Sequence, residues 1–182
     1  MMTGCILAGG AGSRMGGQDK GLVAWQGRPL VEWVLERFSP QVQSLLISAN
    51  RHLELYQRYG HAVVTDDLPN HPGPLAGILA GLNHCNSSWL AVVPCDAPQL
   101  PLDLVMRLHQ AATHEGANLA YATTPDGAQP TFSLIHQSLC PSLEQYLKQG
   151  ERKVLNWYAQ VGAVAVDFTD QPDAFLNINH LP

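Results

Sequence analysis

The sequence contains no apolar run of the roughly 18 residues that a membrane span requires. Its start, Met1-Met2-Thr3-Gly4, has no basic stretch leading into a long apolar core. Neither a membrane span nor a secretory leader is expected. Its four cysteines, Cys5, Cys85, Cys95 and Cys140, make no C-x-x-C pair. That spacing argues against a disulfide framework or a zinc site and fits a reducing cytoplasm. Cys5 and Cys140 read as small packing groups. The eight histidines form no H-x-x-x-H or H-E-x-x-H, so a histidine-built metal cluster is not expected. Positive charge is scarce: 10 Lys and Arg face 15 Asp and Glu, for a net charge of −5. That sign disfavours general nucleic-acid binding, which uses a basic patch or stripe. Long linkers, low-complexity tracts and internal repeats are also lacking.

What is present suits a globular α/β chain. Its 182 residues, 46% of them hydrophobic, suffice for one domain that buries about 70% of its unfolded surface. Short apolar runs alternate with helix-period stretches, which predicts βαβ units and a mostly parallel sheet covered on both faces. Strands are expected at about 3–8, 44–49, 62–65, 89–93, 119–124, 131–135 and 164–166. Helices are expected from Pro29 to Phe38, over 53–59, 75–82, 102–112, 139–148 and 151–159. Trp89-Leu90-Ala91-Val92-Val93 is apolar throughout and reads as a central strand. Asp103 is the expected cap or first-turn acid of the helix over 102–112.

Residues 7–20, LAGGAGSRMGGQDK, carry the chemistry. Five of these fourteen are glycine (Gly9, Gly10, Gly12, Gly16, Gly17), and Arg14, Asp19 and Lys20 are the only charges. Glycine lets an anion approach backbone N–H groups without a Cβ in the way. A loop of this kind after a first strand suits a polyphosphate. It is not a P-loop, because Lys20 is followed by Gly21 rather than a hydroxyl residue. It is not the dinucleotide fingerprint, because Met15 occupies the last glycine position of G-x-G-x-x-G. Ligands of open α/β sheets bind past the carboxyl ends of strands. Asn50 and Arg51 follow the second strand, Asp66 and Asp67 the third, and Asp96 the fourth. Asp96 is the strongest candidate metal ligand, because magnesium favours one or two carboxylates plus phosphate oxygens. The small residues Ala76, Gly77, Ala80 and Gly81 allow a close approach, to another backbone or to a base edge. Arg152 and Lys153 read either as an acceptor-phosphate site or as a solvated face.

The glycine loop resembles the signature loop of nucleotidyltransferases, and its doubled glycine before Gln18-Asp19-Lys20 is most similar to the molybdenum cofactor guanylyltransferases. SANR at 48–51, PGPLAGI at 72–78, PCD at 94–96, QPTF at 129–132, GERKV at 150–154 and FLNIN at 175–179 extend the likeness over nearly the whole chain. The resemblance implies a single-domain, Rossmann-like three-layer α/β/α fold of glycosyltransferase-A type. Its nucleotide-binding half would span about 1–100 and its acceptor-binding half about 101–182. It implies transfer of GMP from GTP to the phosphate of molybdenum-molybdopterin, with Mg2+ as cofactor. The alternatives are a cytidylyltransferase on the same pterin and a sugar-1-phosphate nucleotidyltransferase. Backbone of Leu7, Ala8, Gly9, Gly10 and Gly12 would cradle the nucleotide. Arg14 and Lys20 would neutralise phosphates, Asp96 would hold the metal, and Asp66 would contact the nucleoside, with Gly77 near the base. Ser48 stands where the family usually has an Asn that helps hold guanine; a hydroxyl offers fewer hydrogen bonds. Acceptor contacts are implied near Gln129-Pro130-Thr131, and Asn177 and Asn179 would reach phosphate or metal. Molybdoenzymes or their chaperones would receive the product of a cytoplasmic, monomeric enzyme.

Overall fold

The computed structural model describes residues 1–8, 14–15, 18–66, 68 and 73–178, and of residues 14, 15 and 18 the backbone alone. Met2–Leu7 forms β1. Two short ribbons follow: β2 (Arg14–Met15) pairs with β3 (Gln18–Asp19), and β4 (Ala24–Trp25) with β5 (Arg28–Pro29). The second ribbon turns at Gln26 and Gly27, whose φ of 49° and 82° lie in the left-handed region that this tight hairpin demands. Helix α1 (Leu30–Phe38) starts directly after Pro29. Its buried Leu30, Val31, Val34 and Phe38 recur at helical spacing. Then come β6 (Ser44–Ser48), α2 (Leu53–Gln57), β7 (Ala62–Val64), α3 (Leu75–Asn83) and β8 (Trp89–Pro94). The second half adds α4 (Leu104–Glu115), β9 (Leu119–Thr124), β10 (Gly127–His136), α5 (Cys140–Lys148), α6 (Val154–Gln160) and β11 (Val164–Asp167).

Seven strands make one sheet in the order β11-β9-β10-β8-β1-β6-β7. All its pairings are parallel except those of β10 with β8 and β9. The continuous apolar run of β8 does sit at the centre. Alternation along the strands divides the core between two faces. Ile6, Ile47, Ala91 and Val93 pack with α1, α2 and α4. Cys5, Leu46, Leu90 and Val92 pack with α3, α5 and α6. The result is the expected three-layer α/β/α arrangement.

Two local expectations need correction. Asp103 precedes α4, but its side chain does not cap it. The free N–H of Val105 donates instead to Gln41 Oε1 at 3.0 Å, while Gln171 donates to Asp103 Oδ1 at 3.0 Å. A glutamine from the turn after α1 thus does the capping, a long-range contact that local spacing does not encode. The final helix starts at Val154 rather than at Glu151, because Lys153 is still extended at φ −74° and ψ 116°.

The carboxyl ends of four strands are held level by backbone bonds. Ala8 N donates to Ser48 O at 2.8 Å, Ala49 N to Val64 O at 2.9 Å, and Cys95 N to Leu7 O at 3.1 Å. One edge of the sheet therefore carries Leu7, Ser48, Asn50, Asp66 and Asp96.

Candidate active site

The first polypeptide turn returns to this edge. Arg14 stands opposite Asp19 in the β2–β3 ribbon. A 3-10 turn over Lys20–Leu22 follows, with Asp19 as its cap: Gly21 N donates to Asp19 Oδ1 at 3.2 Å. This turn packs on the end of β8. A Cβ at Gly21 would lie 2.6 Å from the Tyr56 hydroxyl oxygen and 3.3 Å from Cys95 Cβ. Only a residue without a side chain lets the two segments close up.

That closure brings Lys20 Nζ to 3.5 Å from Asp96 Oδ2, with the side chains only 14% and 9% exposed. Burial raises the Asp96 carboxyl above its ordinary value, and the Lys20 ammonium opposes this without cancelling it. A buried carboxylate so placed remains short of positive charge. It therefore fits a divalent cation. Among the described residues no group of three His, Cys, Asp or Glu converges. Asp96 is the residue that would hold a divalent cation here, with the remaining ligands coming from substrate oxygens and water.

Asp66 lies on the same edge, tied to the strand before it. Asn50 Nδ2 donates to Asp66 Oδ2 at 2.7 Å, and Asp66 N donates to Asn50 Oδ1 at 3.2 Å. Ser48 is buried at the end of β6, and α3 crosses beside it at Gly77. Gly81 is a packing residue, since a Cβ there would meet Cys5 Sγ and Leu90 Cδ2, each at 3.0 Å. Gly9, Gly10, Gly12, Gly16, Gly17, Asp67 and Asn179, and the side chain of Arg14, lie outside the described residues.

The chain's last described segment also reaches the site. Ile178 N donates to Asp96 O at 2.9 Å, so Ile178 binds the backbone of Asp96, while Asn177 is exposed. On the other half of the edge, β10 shifts register between Gln129 and Ser133. Tyr158 of α6 donates to Pro130 O there at 2.6 Å. Arg152 and Lys153 are exposed just before α6. Sequence reading missed Tyr56, whose hydroxyl donates to Asp19 Oδ1 at 2.6 Å. Its signal is faint: an acid such as Asp19 needs a partner once buried, and nothing in the spacing says which.

In open α/β folds ligands bind past the carboxyl ends of the strands, and the class to which this fold and its family match point is the nucleotidyltransferases. Residues 4–162 match the model of the MobA-like NTP transferase domain, and the chain belongs to that family. It is 46% identical over 97% of its length, and 90% of the relative's, to a molybdenum cofactor guanylyltransferase of Shewanella putrefaciens. It is 49% identical over 99% of its length, and 92% of the relative's, to one of Cupriavidus taiwanensis. The crystal structure of molybdopterin-guanine dinucleotide biosynthesis protein A from Archaeoglobus fulgidus is similar at a TM-score of 0.80 and 27% identity, covering 97% of this chain and 92% of that one.

Proposed function

We propose that this protein transfers GMP from GTP to the terminal phosphate of molybdenum-molybdopterin, yielding the guanine dinucleotide form of the cofactor and pyrophosphate. The observation that carries the reading is Lys20 against buried Asp96 at the carboxyl edge, in a chain similar along nearly its whole length to guanylyltransferases. An acceptor phosphate oxygen bonds to the α-phosphorus of GTP as the bond from that phosphorus to the bridging oxygen breaks. The electron pair leaves with pyrophosphate. The nucleophile is already anionic, so no strong general base is needed. The barrier lies in bringing two anions together and in charge building on the leaving group.

The chain's own groups answer that barrier. Backbone of Leu7, Ala8, Gly9, Gly10 and Gly12 cradles the nucleotide. Arg14 and Lys20 neutralise the triphosphate and the departing pyrophosphate. In the unliganded protein Lys20 partly balances Asp96, and on substrate binding its charge is shared with the phosphates. Asp96 is the residue that would hold magnesium, which supplies Lewis-acid charge on the triphosphate oxygens when bound. Ser48 and Gly77 flank the base, and Asp66, steadied by Asn50, contacts the nucleoside. Residues 1–100 thus serve the nucleotide. Residues 101–182 serve the acceptor, with Gln129-Pro130-Thr131 and the exposed Arg152 and Lys153 on the pterin side.

The test is pyrophosphate release by purified protein with the pterin cofactor present, compared across GTP, CTP, ATP and UTP. Release that needs the pterin and is fastest with GTP is expected. Fastest release with CTP would reassign the enzyme as a cytidylyltransferase. Release that ignores the pterin but responds to a sugar 1-phosphate would reassign the acceptor.

A further inference from the structure

Tyr56 lies outside the set of residues assigned to substrate, yet it is bound to Asp19, the neighbour of one of them. It belongs to α2, on the far side of β6 from the phosphate loop in sequence, and it is fully buried. Its hydroxyl donates to Asp19 Oδ1 at 2.6 Å. The same oxygen accepts from Gly21 N at 3.2 Å. Asp19 is itself buried and is covalently next to Lys20, whose ammonium stands 3.5 Å from Asp96. Tyr56 also stands in the seam where Gly21 packs on Cys95, the residue preceding Asp96.

A buried carboxylate with a buried phenol is a poor device for stability alone. Removing both groups from water offsets most of what their hydrogen bond returns. Such pairs are better suited to fixing register. The phenol is pushed up by burial, with the nearby Cys95 and Asp19 adding to it, so it remains a proton donor at any working pH. The hydrogen bond is charge-assisted and short, which gives it directional stiffness. Asp19 is covalently next to Lys20, so fixing the Asp19 carboxylate against both Tyr56 and Gly21 N limits where the Lys20 backbone can lie.

We propose that Tyr56 is a positioning residue for nucleotidyl transfer: by holding Asp19 it sets the Lys20 ammonium beside Asp96, where the triphosphate and its metal meet. This rests on the reading of Lys20 and Asp96 as site residues. The contact is specific to the hydroxyl, because the ring alone fills the same space without fixing the carboxylate.

The experiment is a double-mutant cycle of Tyr56→Phe and Lys20→Ala, assayed for GTP- and pterin-dependent pyrophosphate release well below the melting temperature of each variant. Tyr56→Phe is expected to lower kcat about ten- to hundredfold, the scale of a small misplacement of a reacting group. KM for GTP should move less than kcat. In the Lys20→Ala background the same change should alter kcat less than about twofold, because the group it positions is gone. A Tyr56→Phe enzyme with near-normal kcat overturns the proposal. So does a full additional loss in the Lys20→Ala background, which would mean that Tyr56 acts independently of Lys20. If Lys20→Ala alone turns over normally, the site reading itself fails and the proposal falls with it, a result visible from that single variant. Should Tyr56→Phe not fold, Asp19→Asn takes its place. It keeps the size and the acceptor oxygen but not the charge, and the same non-additivity with Lys20→Ala is required of it.

Discussion

Gly77 and Gly81 are one helical turn apart on α3, and their surroundings separate site from scaffold. A Cβ at Gly77 would stand 3.0 Å from Ser48 Oγ and 3.1 Å from Leu7 Cδ2. Both are ends of rotatable side chains at the nucleotide edge, so the protein yields there by moving Ser48. A Cβ at Gly81 meets Cys5 Sγ and Leu90 Cδ2 at 3.0 Å, inside the β1–β8 core. Either alanine overpacks, at about 1–3 kcal/mol, which for a chain of this size lowers Tm by about 2–4 °C per kcal/mol. Function should part them. Gly77→Ala is expected to raise KM for GTP several-fold by displacing Ser48, while Gly81→Ala leaves KM unchanged. Steady-state kinetics beside a thermal melt distinguish the two, and equal KM values would remove Gly77 from the base-binding wall.

The segment over Pro172–Phe175 and the residues after it act as a strap, anchored by aromatic packing rather than by sheet bonds. Phe175 is buried, with its ring 4.7 Å from Phe132 and 5.1 Å from Phe168, both edge-on. Three residues later, Ile178 N binds Asp96 O. Phe175→Ala should cost about 3–5 kcal/mol by leaving a cavity. Because the strap then loses its hold on Asp96, kcat should fall even where the variant is fully folded. Wild-type kcat for folded Phe175→Ala would mean that the strap is scaffold only. Much of this architecture was legible beforehand. The unbroken apolar run at Trp89–Val93 announced a central strand, and the family resemblance led the segment beginning at Phe175 to be expected near the site, where Ile178 is found. Lys20 and Asp96 could be named because one ends a glycine-rich loop and the other ends a strand. Illegible were the contacts that depend on distant segments: Gln41 capping α4, Asp103 bound to Gln171 instead, and Tyr56 reaching Asp19. Period and spacing report which face a residue takes, not which partner waits there.

At the scale of the whole molecule, a chain of net charge −5 must bring two anionic substrates together. Its positive charge has to be local, and in the proposed mechanism a divalent ion would complete it. No three-ligand cage forms among the described residues, and two apolar faces of one sheet hold the fold. Stability and metal should therefore be uncoupled until nucleotide is present. We expect EDTA to abolish transfer and excess Mg2+ to restore it, while the melting temperature of the free protein moves by less than about 1 °C. With GTP added, Mg2+ should raise Tm by an amount that grows with ligand concentration, as binding to the folded state alone requires. Asp96→Asn should melt cooperatively, lose this Mg2+-dependent increment, and lower kcat by about 10²-fold or more, on the scale of removing a transition-state charge contact. The decisive comparison is the Asp96→Asn melt with GTP, with and without Mg2+. An increment as large as that of the wild type would place the ion on other ligands and leave Asp96 a structural acid held by Lys20.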